Sequence, residues 1–262
     1  YLPFDESVLM KHFARTGKHV KANRNHLNYY IQSIKKYKEY KKDKNSIFGK
    51  PLCETSKPCQ IQKDERFWTI NTLMNIYYSP NRVNELCILF EKAFGKKVPI
   101  SIEINSWEEC LTSNNLKLYF EVDLPSPTSY KKKLCSLYEK GNIQEHQIIP
   151  FILASAHGKK TLEGSTQVDA LIVNPDNGFS VLIEAKVLSD ISIGVTYDVV
   201  RNQIARNIDV MLESDERLCD SLKKREPNKS IFLLLTPKLF KDNPTSRLYG
   251  YKIREYQDKN KR

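Results

Sequence analysis

Two apolar runs joined by a short polar turn constrain the fold of this chain more than any other feature. Residues 167–173 read QVDALIV and residues 181–187 read VLIEAKV. Between them Asn174, Pro175, Asp176, Asn177 and Gly178 offer the residue types that hairpin turns use. The pattern predicts two β-strands in a hairpin. Three charged residues, Asp169, Glu184 and Lys186, enter these strands. A charge in such a place is costly unless something pairs with it. A divalent cation between the carboxylates meets that need. The second run is continuously apolar from Val181 to Ile183 and apolar again at Val187. That is the pattern of a strand covered on both faces, not of a hairpin lying in water.

Side chains on a strand alternate between its faces. Leu182, Glu184 and Lys186 therefore share one face, with Glu184 and Lys186 about 7 Å apart along the strand. With a suitable register, Asp169 joins them from the neighbouring strand. Two carboxylates then offer a hard cation the oxygen ligands it prefers, and water fills the remaining positions. Lys186 lies beside one such water, where an ammonium stabilises hydroxide or developing phosphoryl charge.

An Asp…Glu-x-Lys pattern on a β-hairpin resembles the active site of the PD-(D/E)XK nuclease superfamily. Flanking segments agree with that resemblance. Residues 142–156 read as a helix bearing Glu145, and residues 196–213 as a second helix with Val200, Ile204, Ile208, Met211 and Leu212 on one side. Gln203, Arg206 and Asn207 occupy its other side. Residues 231–235 read as a buried strand ending at Thr236 and Pro237. The resemblance covers residues 142–237. For the core's first strand it leaves only the polar segment 157–165.

The resemblance implies an α/β fold with a restriction-endonuclease-like core, a mixed central sheet flanked by helices. It implies metal-dependent hydrolysis of phosphodiester bonds. Asp169, Glu184 and the backbone carbonyl of Ala185 are expected to hold Mg²⁺ or Mn²⁺, and Lys186 to orient and activate the attacking water. Glu145 is expected to support that cation through water or to bind a second one, with Glu163 and Asp190 as substitute acids. Gln203 and Arg206 are expected to position the phosphate or steady the carboxylates. The habits of the family favour DNA and an endonuclease of the restriction or defence kind. A homodimer is compatible with that reading, because related enzymes often cut two strands with two sites. Two alternatives stay open: an RNA-directed nuclease, and a catalytically inactive nucleic-acid-binding or scaffold module on the same fold.

Charge agrees with a polyanionic partner. Lys and Arg outnumber Asp and Glu by enough to give a formal net charge of +11. No run of apolar residues is long enough to span a membrane, and no signal peptide is legible. The first residue is Tyr1 and the end is polar and basic, which suggests a piece of a longer protein. The six cysteines form no Cys-x-x-Cys pair, and no zinc-ligand spacing is present. Cys53 and Cys59 are a poor metal pair; Cys87 and Cys135 read as buried thiols. The chain is expected to be cytoplasmic, in a reducing compartment. His12, His19 and His26 recur at a regular interval but lack a carboxylate companion, so they read as surface or capping residues. His146 reads as structural. Phosphate-binding glycine loops and the Gly-x-Ser-x-Gly elbow are absent.

Residues 1–125 read as a separate, mainly helical region. Helices are expected at 5–13, 19–44, 64–78 and 81–94, followed by strands at 98–104 and 116–122. Pro125 and Pro127 mark a boundary, with the nuclease-like domain in residues 126–262. The long early helix carries Lys35, Lys36 and Lys38 among tyrosines. Its Leu, Ile and Tyr stripe follows the core period. The lysines are candidates for contact with a nucleic-acid backbone.

Overall fold

The structure is a computed structural model, and it describes residues 4–13, 27–32, 35, 65–100, 103–141, 164–187, 189–191, 202–213, 218 and 220–257. The class is α/β. One four-stranded sheet runs in the order β1 (Lys117–Leu124), β2 (Thr166–Val173), β3 (Ser180–Ala185), β4 (Ser230–Leu235). The β1–β2 and β2–β3 pairs are antiparallel, and β3–β4 is parallel. A parallel pair needs a crossover. Here the crossover contains α6 (Gln203–Met211) and α7 (Asp220–Lys223).

The hairpin forms as its composition dictates. Asn174 N–H donates to Phe179 O across the turn at 2.8 Å, and Gly178 N–H donates to Asn174 O at 2.9 Å. The Asn174 side chain accepts from Asp176 N–H at 3.1 Å, and that of Asn177 from Phe179 N–H at 2.9 Å. Gly178 has φ +79, and a Cβ there would stand 2.7 Å from the Glu226 side chain. Glycine alone fits both constraints.

Helices cover the sheet on both sides. In chain order the preceding ones are α1 (Glu6–Met10), α2 (Glu65–Tyr77), α3 (Arg82–Phe94), α4 (Trp107–Leu111) and α5 (Thr128–Glu139). The last two are α8 (Lys238–Asp242) and α9 (Gly250–Gln257). Phe67, Ile70, Leu73 and Met74 of α2 and Leu86 and Phe90 of α3 pack with Leu118, Phe120, Ala170, Ile172, Val181 and Ile183 of the sheet. Val210 and Met211 of α6 and Leu222 of α7 pack with Leu171, Val173 and Leu182. Leu27 and Tyr30, in the helical stretch 27–32, are buried in the first of these cores, as their spacing predicts. Among the described residues, no helix is long and apolar enough to cross a membrane.

Several expectations are corrected. Among the described residues, the sheet's first strand is β1; of the expected segment 157–165 only Gly164 and Ser165 are described, and they form no strand. β1 lies before the Pro125–Pro127 boundary, pairs with β2, and shares one core with residues from both sides of that boundary. No strand forms among the described residues of 98–104, although Val98 and Ile104 are buried. Pro99 between Val98 and Ile100 has no N–H to give a ladder. Of the helix expected at 196–213, the described part runs from Gln203 to Met211, and residues 196–201 lie outside the described residues. Asn202 is extended, and its side chain accepts from Ala205 N–H at 3.0 Å as an N-cap. Cys110, not Cys87 or Cys135, is the fully buried thiol, and burial pushes it up to about 12; all three are free. The expected helix 142–156 lies outside the described residues, as do Cys53, Cys59, His19, His26 and His146.

His12 is buried rather than on the surface. Its Nδ1 lies 2.9 Å from Leu118 O, and its Nε2 2.9 Å from the Tyr78 hydroxyl. A carbonyl only accepts, so the proton sits on Nδ1 and Nε2 accepts from Tyr78. Burial lowers the imidazole's pKa, against the Leu118 hydrogen bond and with help from Lys11. The unfolded chain therefore binds a proton more readily below about pH 6.5. The stability that neutral His12 contributes is present above that value and is lost as pH falls through the lower folded value. In urea unfolding, the wild-type advantage over His12→Gln is expected to shrink between pH 7 and pH 5. A constant difference would remove His12 from the acid limb of stability.

Candidate active site

β2 and β3 bring the two expected carboxylates together. Ala170 pairs with Ile183, so the next position along the ladder sets Asp169 opposite Glu184. Residues directly opposite across an antiparallel pair project to the same side. Ala185 N–H donates to Asp169 Oδ2 at 2.8 Å, which fixes that carboxylate against the end of β3.

Glu184 is fully buried, and both its oxygens are engaged. Lys186 Nζ lies 2.6 Å from Oε1, and Gln203 Nε2 donates to the same oxygen at 2.5 Å. Asn207 Nδ2 donates to Oε2 at 2.9 Å. Gln203 and Asn207 are neighbours one turn apart on α6. Asn207 is itself fully buried. The next residue, Ile208, packs against the apolar layer with Val210 and Met211. The far end of α6 is held by buried Arg225, which donates to the carbonyls of Val210, Met211 and Glu213. The Val210 and Met211 carbonyls are among those a helix end leaves without a partner.

The acid that joins them is Glu65, at the first position of α2. Its Oε1 lies 3.4 Å from Lys186 Nζ. Its Oε2 accepts from Ser189 Oγ at 2.8 Å and from Val187 N–H at 3.3 Å. Glu65 thus clamps the segment after β3 to the start of α2. A fourth carboxylate, Glu121 of β1, stands opposite Asp169, between the pairs Phe120–Ala170 and Val122–Val168. It is buried and accepts from the Tyr30 hydroxyl at 2.6 Å. Its φ of +52 is left-handed, which costs a non-glycine residue on the order of 1–2 kcal/mol. A strained, buried acid beside other acids is a feature of functional sites more often than of plain cores.

The electrostatics follow from this crowding. Burial first, and then the charge of Glu184, raise Asp169 to about 8, against the Ala185 hydrogen bond and Lys186. Burial also raises Glu184, and Lys186 and Asn207 oppose the shift. For Lys186, burial alone favours the neutral amine, but Glu184, Asp169 and Glu65 together outweigh it and the net shift is upward. Lys186 is therefore an ammonium held beside Asp169 and Glu184, two carboxyls that burial biases toward the protonated form.

Asp169, Glu184, Ala185, Lys186 and Gln203 therefore meet as the sequence implied. The Arg206 guanidinium donates to Ser165 O at 3.2 Å, at the entry to β2. Asp190 is exposed, with its carboxylate accepting from Ile191 N–H at 2.7 Å. Lys35 is exposed on the early helix. Glu145, Glu163, Lys36 and Lys38 lie outside the described residues. Glu65, Glu121 and the Asn207 contact were not anticipated. Glu65 carried a usable signal, an acid opening the helix that precedes the first strand.

Hard oxygen donors are present in Asp169, Glu184 and the Ala185 carbonyl. Among the described residues, no group of three or more His, Cys, Asp or Glu converges as a metal site. Two buried acceptors beside Glu184, Gln203 Oε1 and Asn207 Oδ1, make no hydrogen bond among the described residues. Comparison with protein-family models, curated proteins and solved structures finds no match to this chain.

Proposed function

We propose that this chain is a metal-dependent nuclease of the PD-(D/E)XK kind that hydrolyses phosphodiester bonds, with DNA as the preferred substrate and Mg²⁺ or Mn²⁺ as cofactor. The observation that carries this reading is the meeting of Asp169 and Glu184 across β2 and β3 with Lys186 Nζ 2.6 Å from Glu184. The sheet supports it: β1, β2 and β3 pair antiparallel in turn, and the crossover with α6 then leads to the parallel strand β4. However, α5 stands between β1 and β2, and α3 and α4 stand between β1 and α2, whose Glu65 would supply the additional acid. Glu145, also expected in that role, lies outside the described residues.

The donor set fits a hard cation in chemistry, and the orphaned amide oxygens of Gln203 and Asn207 support a hydrogen-bonding occupant beside Glu184. Asp169, Glu184 and the Ala185 carbonyl would hold the cation. When bound, it would neutralise phosphate charge and make an adjacent water more acidic. The chain's own groups do the rest. Lys186 offers an ammonium to the attacking water or to a phosphate oxygen. Glu65 holds that ammonium from the other side. Gln203 and Asn207 fix the plane of the Glu184 carboxylate, so that its orientation does not depend on solvent.

A second reading, an inactive nucleic-acid-binding module, is favoured by one observation: N–H donors already engage both Glu184 oxygens. A digestion panel separates the two. Plasmid, linear duplex, single-stranded DNA and RNA are incubated with the protein in Mg²⁺ or in EDTA. Cleavage in Mg²⁺ that disappears in EDTA and in Glu184→Ala is the expected result. Equal cleavage by Glu184→Ala assigns the activity to another site, and no cleavage of any substrate supports the binding module.

A further inference from the structure

The chain just before α9 is held in an unfavourable shape. Tyr249 has φ +64, in the left-handed region, and Gly250 N–H donates to Leu248 O across it at 2.7 Å. A γ-turn around a residue of positive φ is the rare and strained form, and a bulky residue seldom adopts it. Such strain persists only where the surroundings over-determine it. Here they do. A Cβ on Gly250 would stand 2.7 Å from Pro244 O, so the turn has no slack on that side. The Tyr249 side chain is buried. Its ring meets Phe240 edge-on with centroids 4.7 Å apart, in a cluster with Ile191 and with Ile204 of α6. The turn brings the Tyr249 hydroxyl to Ser189, whose carbonyl accepts from it. Ser189 Oγ donates to Glu65 Oε2 at 2.8 Å, and Glu65 Oε1 lies 3.4 Å from Lys186 Nζ. A chain of contacts thus runs from Tyr249 through Ser189 and Glu65 to the ammonium.

We propose that Tyr249 is a positioning residue of this site: its hydroxyl holds the Ser189 backbone, which keeps Glu65 against Lys186 and so fixes where the ammonium points. The proposal rests on the nuclease reading above. Ser189 is exposed, and the described residues among 186–191 form no helix or strand, so the place of this segment depends on contacts from outside it. Tyr249 supplies one from the C-terminal side, and Glu65 supplies others from α2. Burial first, and then Asp190 and Glu65, push the phenol up, against Lys186, so it remains a proton donor at neutral pH. Packing alone asks only for an aromatic ring in that cluster, and phenylalanine would bring no hydroxyl to satisfy. The strained turn is kept together with a phenol whose acceptor lies on the segment that follows the Glu-x-Lys motif.

Tyr249→Phe keeps the ring and removes the hydroxyl. In Mg²⁺ its kcat for DNA cleavage is expected to fall about three- to tenfold with KM unchanged, the size of one lost hydrogen bond. Phe240→Leu loosens the same packing and leaves the hydroxyl in place, so it is expected to melt lower with kcat unchanged. Urea unfolding in EDTA reads the link without any cleavage. There the stability losses of Tyr249→Phe and Glu65→Ala are expected to be non-additive, with the double variant more stable than the two single losses predict. Additive losses sever the link and overturn the proposal. So does a wild-type kcat in Tyr249→Phe, or an equal fall of kcat in Phe240→Leu, which assigns the effect to packing. A wild-type chain that cleaves no substrate overturns the nuclease reading and, with it, the catalytic consequence of Tyr249, whatever the unfolding cycle gives.

Discussion

In EDTA at pH 8, Asp169→Asn is expected to unfold at a higher temperature than the wild-type chain, and to have lost Mg²⁺-dependent cleavage. The stability half of this result follows from linkage. Burial, with the Glu184 charge beside it, pushes the Asp169 carboxyl up to about 8 in the fold, against an ordinary value of 3.8. Between those values the folded chain keeps a proton that the unfolded chain has released. Wild-type stability therefore falls as pH rises through that window, and the whole deficit is present above about 8. Asparagine does not titrate, and its amide oxygen still accepts from Ala185 N–H. The gain at pH 8 is on the order of a few kcal/mol, and it should fade by pH 5. Mg²⁺ should reverse the ranking. A cation that binds only the folded state stabilises by mass action, and the variant has lost an anionic ligand for it. Melts at pH 5 and pH 8, with and without Mg²⁺, check all four corners. An Asn variant that is less stable at pH 8 in EDTA contradicts the strained-carboxylate picture. A wild type that Mg²⁺ does not stabilise contradicts the cation.

That stored repulsion explains which parts of the site were legible. Asp169, Glu184 and Lys186 stood out because each breaks an apolar strand pattern, and local alternation with a five-residue turn was enough to align them. Gln203 followed from helix periodicity after the motif. Glu121 sits in an equally apolar strand, KLYFEVDL, yet it gave no signal. Its neighbour Asp123 makes the run look like ordinary surface alternation, and the left-handed φ that distinguishes Glu121 is invisible in residue types. Its pairing with β2 crosses a long intervening segment, so no short-range spacing linked it to Asp169. The strand at 116–122 is legible in the residues, but its place in the same sheet as the hairpin is not, and that has a second cost. A core starting near residue 142 puts the acid on the helix expected there, outside the described residues, and leaves the helix opening at Glu65 in another region. Pro125 and Pro127 reinforced the error, since prolines after a strand look the same whether they end a domain or only a strand. Asn207 was assigned to the polar side of its helix, and it does lie there. Burial of that side against Glu184 is a tertiary fact, and helix periodicity separates polar from apolar without saying which polar residues meet water.

Lys186→Met is expected to reduce Mg²⁺-dependent cleavage about a hundred- to a thousandfold, the range found when one preorganised charge-stabilising donor is removed. Methionine keeps most of the length and the apolar stem of lysine, so the change isolates the ammonium. Two consequences separate this from simple misfolding. Glu184 is already raised by burial, and Lys186 is the largest influence holding it down. Without that ammonium the carboxyl keeps its proton to higher pH, so the variant's residual rate should climb with pH over a range where the wild-type rate is flatter. Stability should carry the same signature. Removing one member of a buried ion pair costs about 3–5 kcal/mol when the other stays charged. Glu184 can instead take up a proton, which makes the loss smaller at pH 5 than at pH 8. Gln203 and Asn207 still donate to its oxygens, so the protonated carboxyl is not left bare. Cleavage that survives unchanged in Lys186→Met, with an unaltered pH profile, means the ammonium takes no part in the reaction. The meeting of Asp169, Glu184 and Lys186 would then be a structural knot in the sheet, and any hydrolysis would have to be sought elsewhere on the chain.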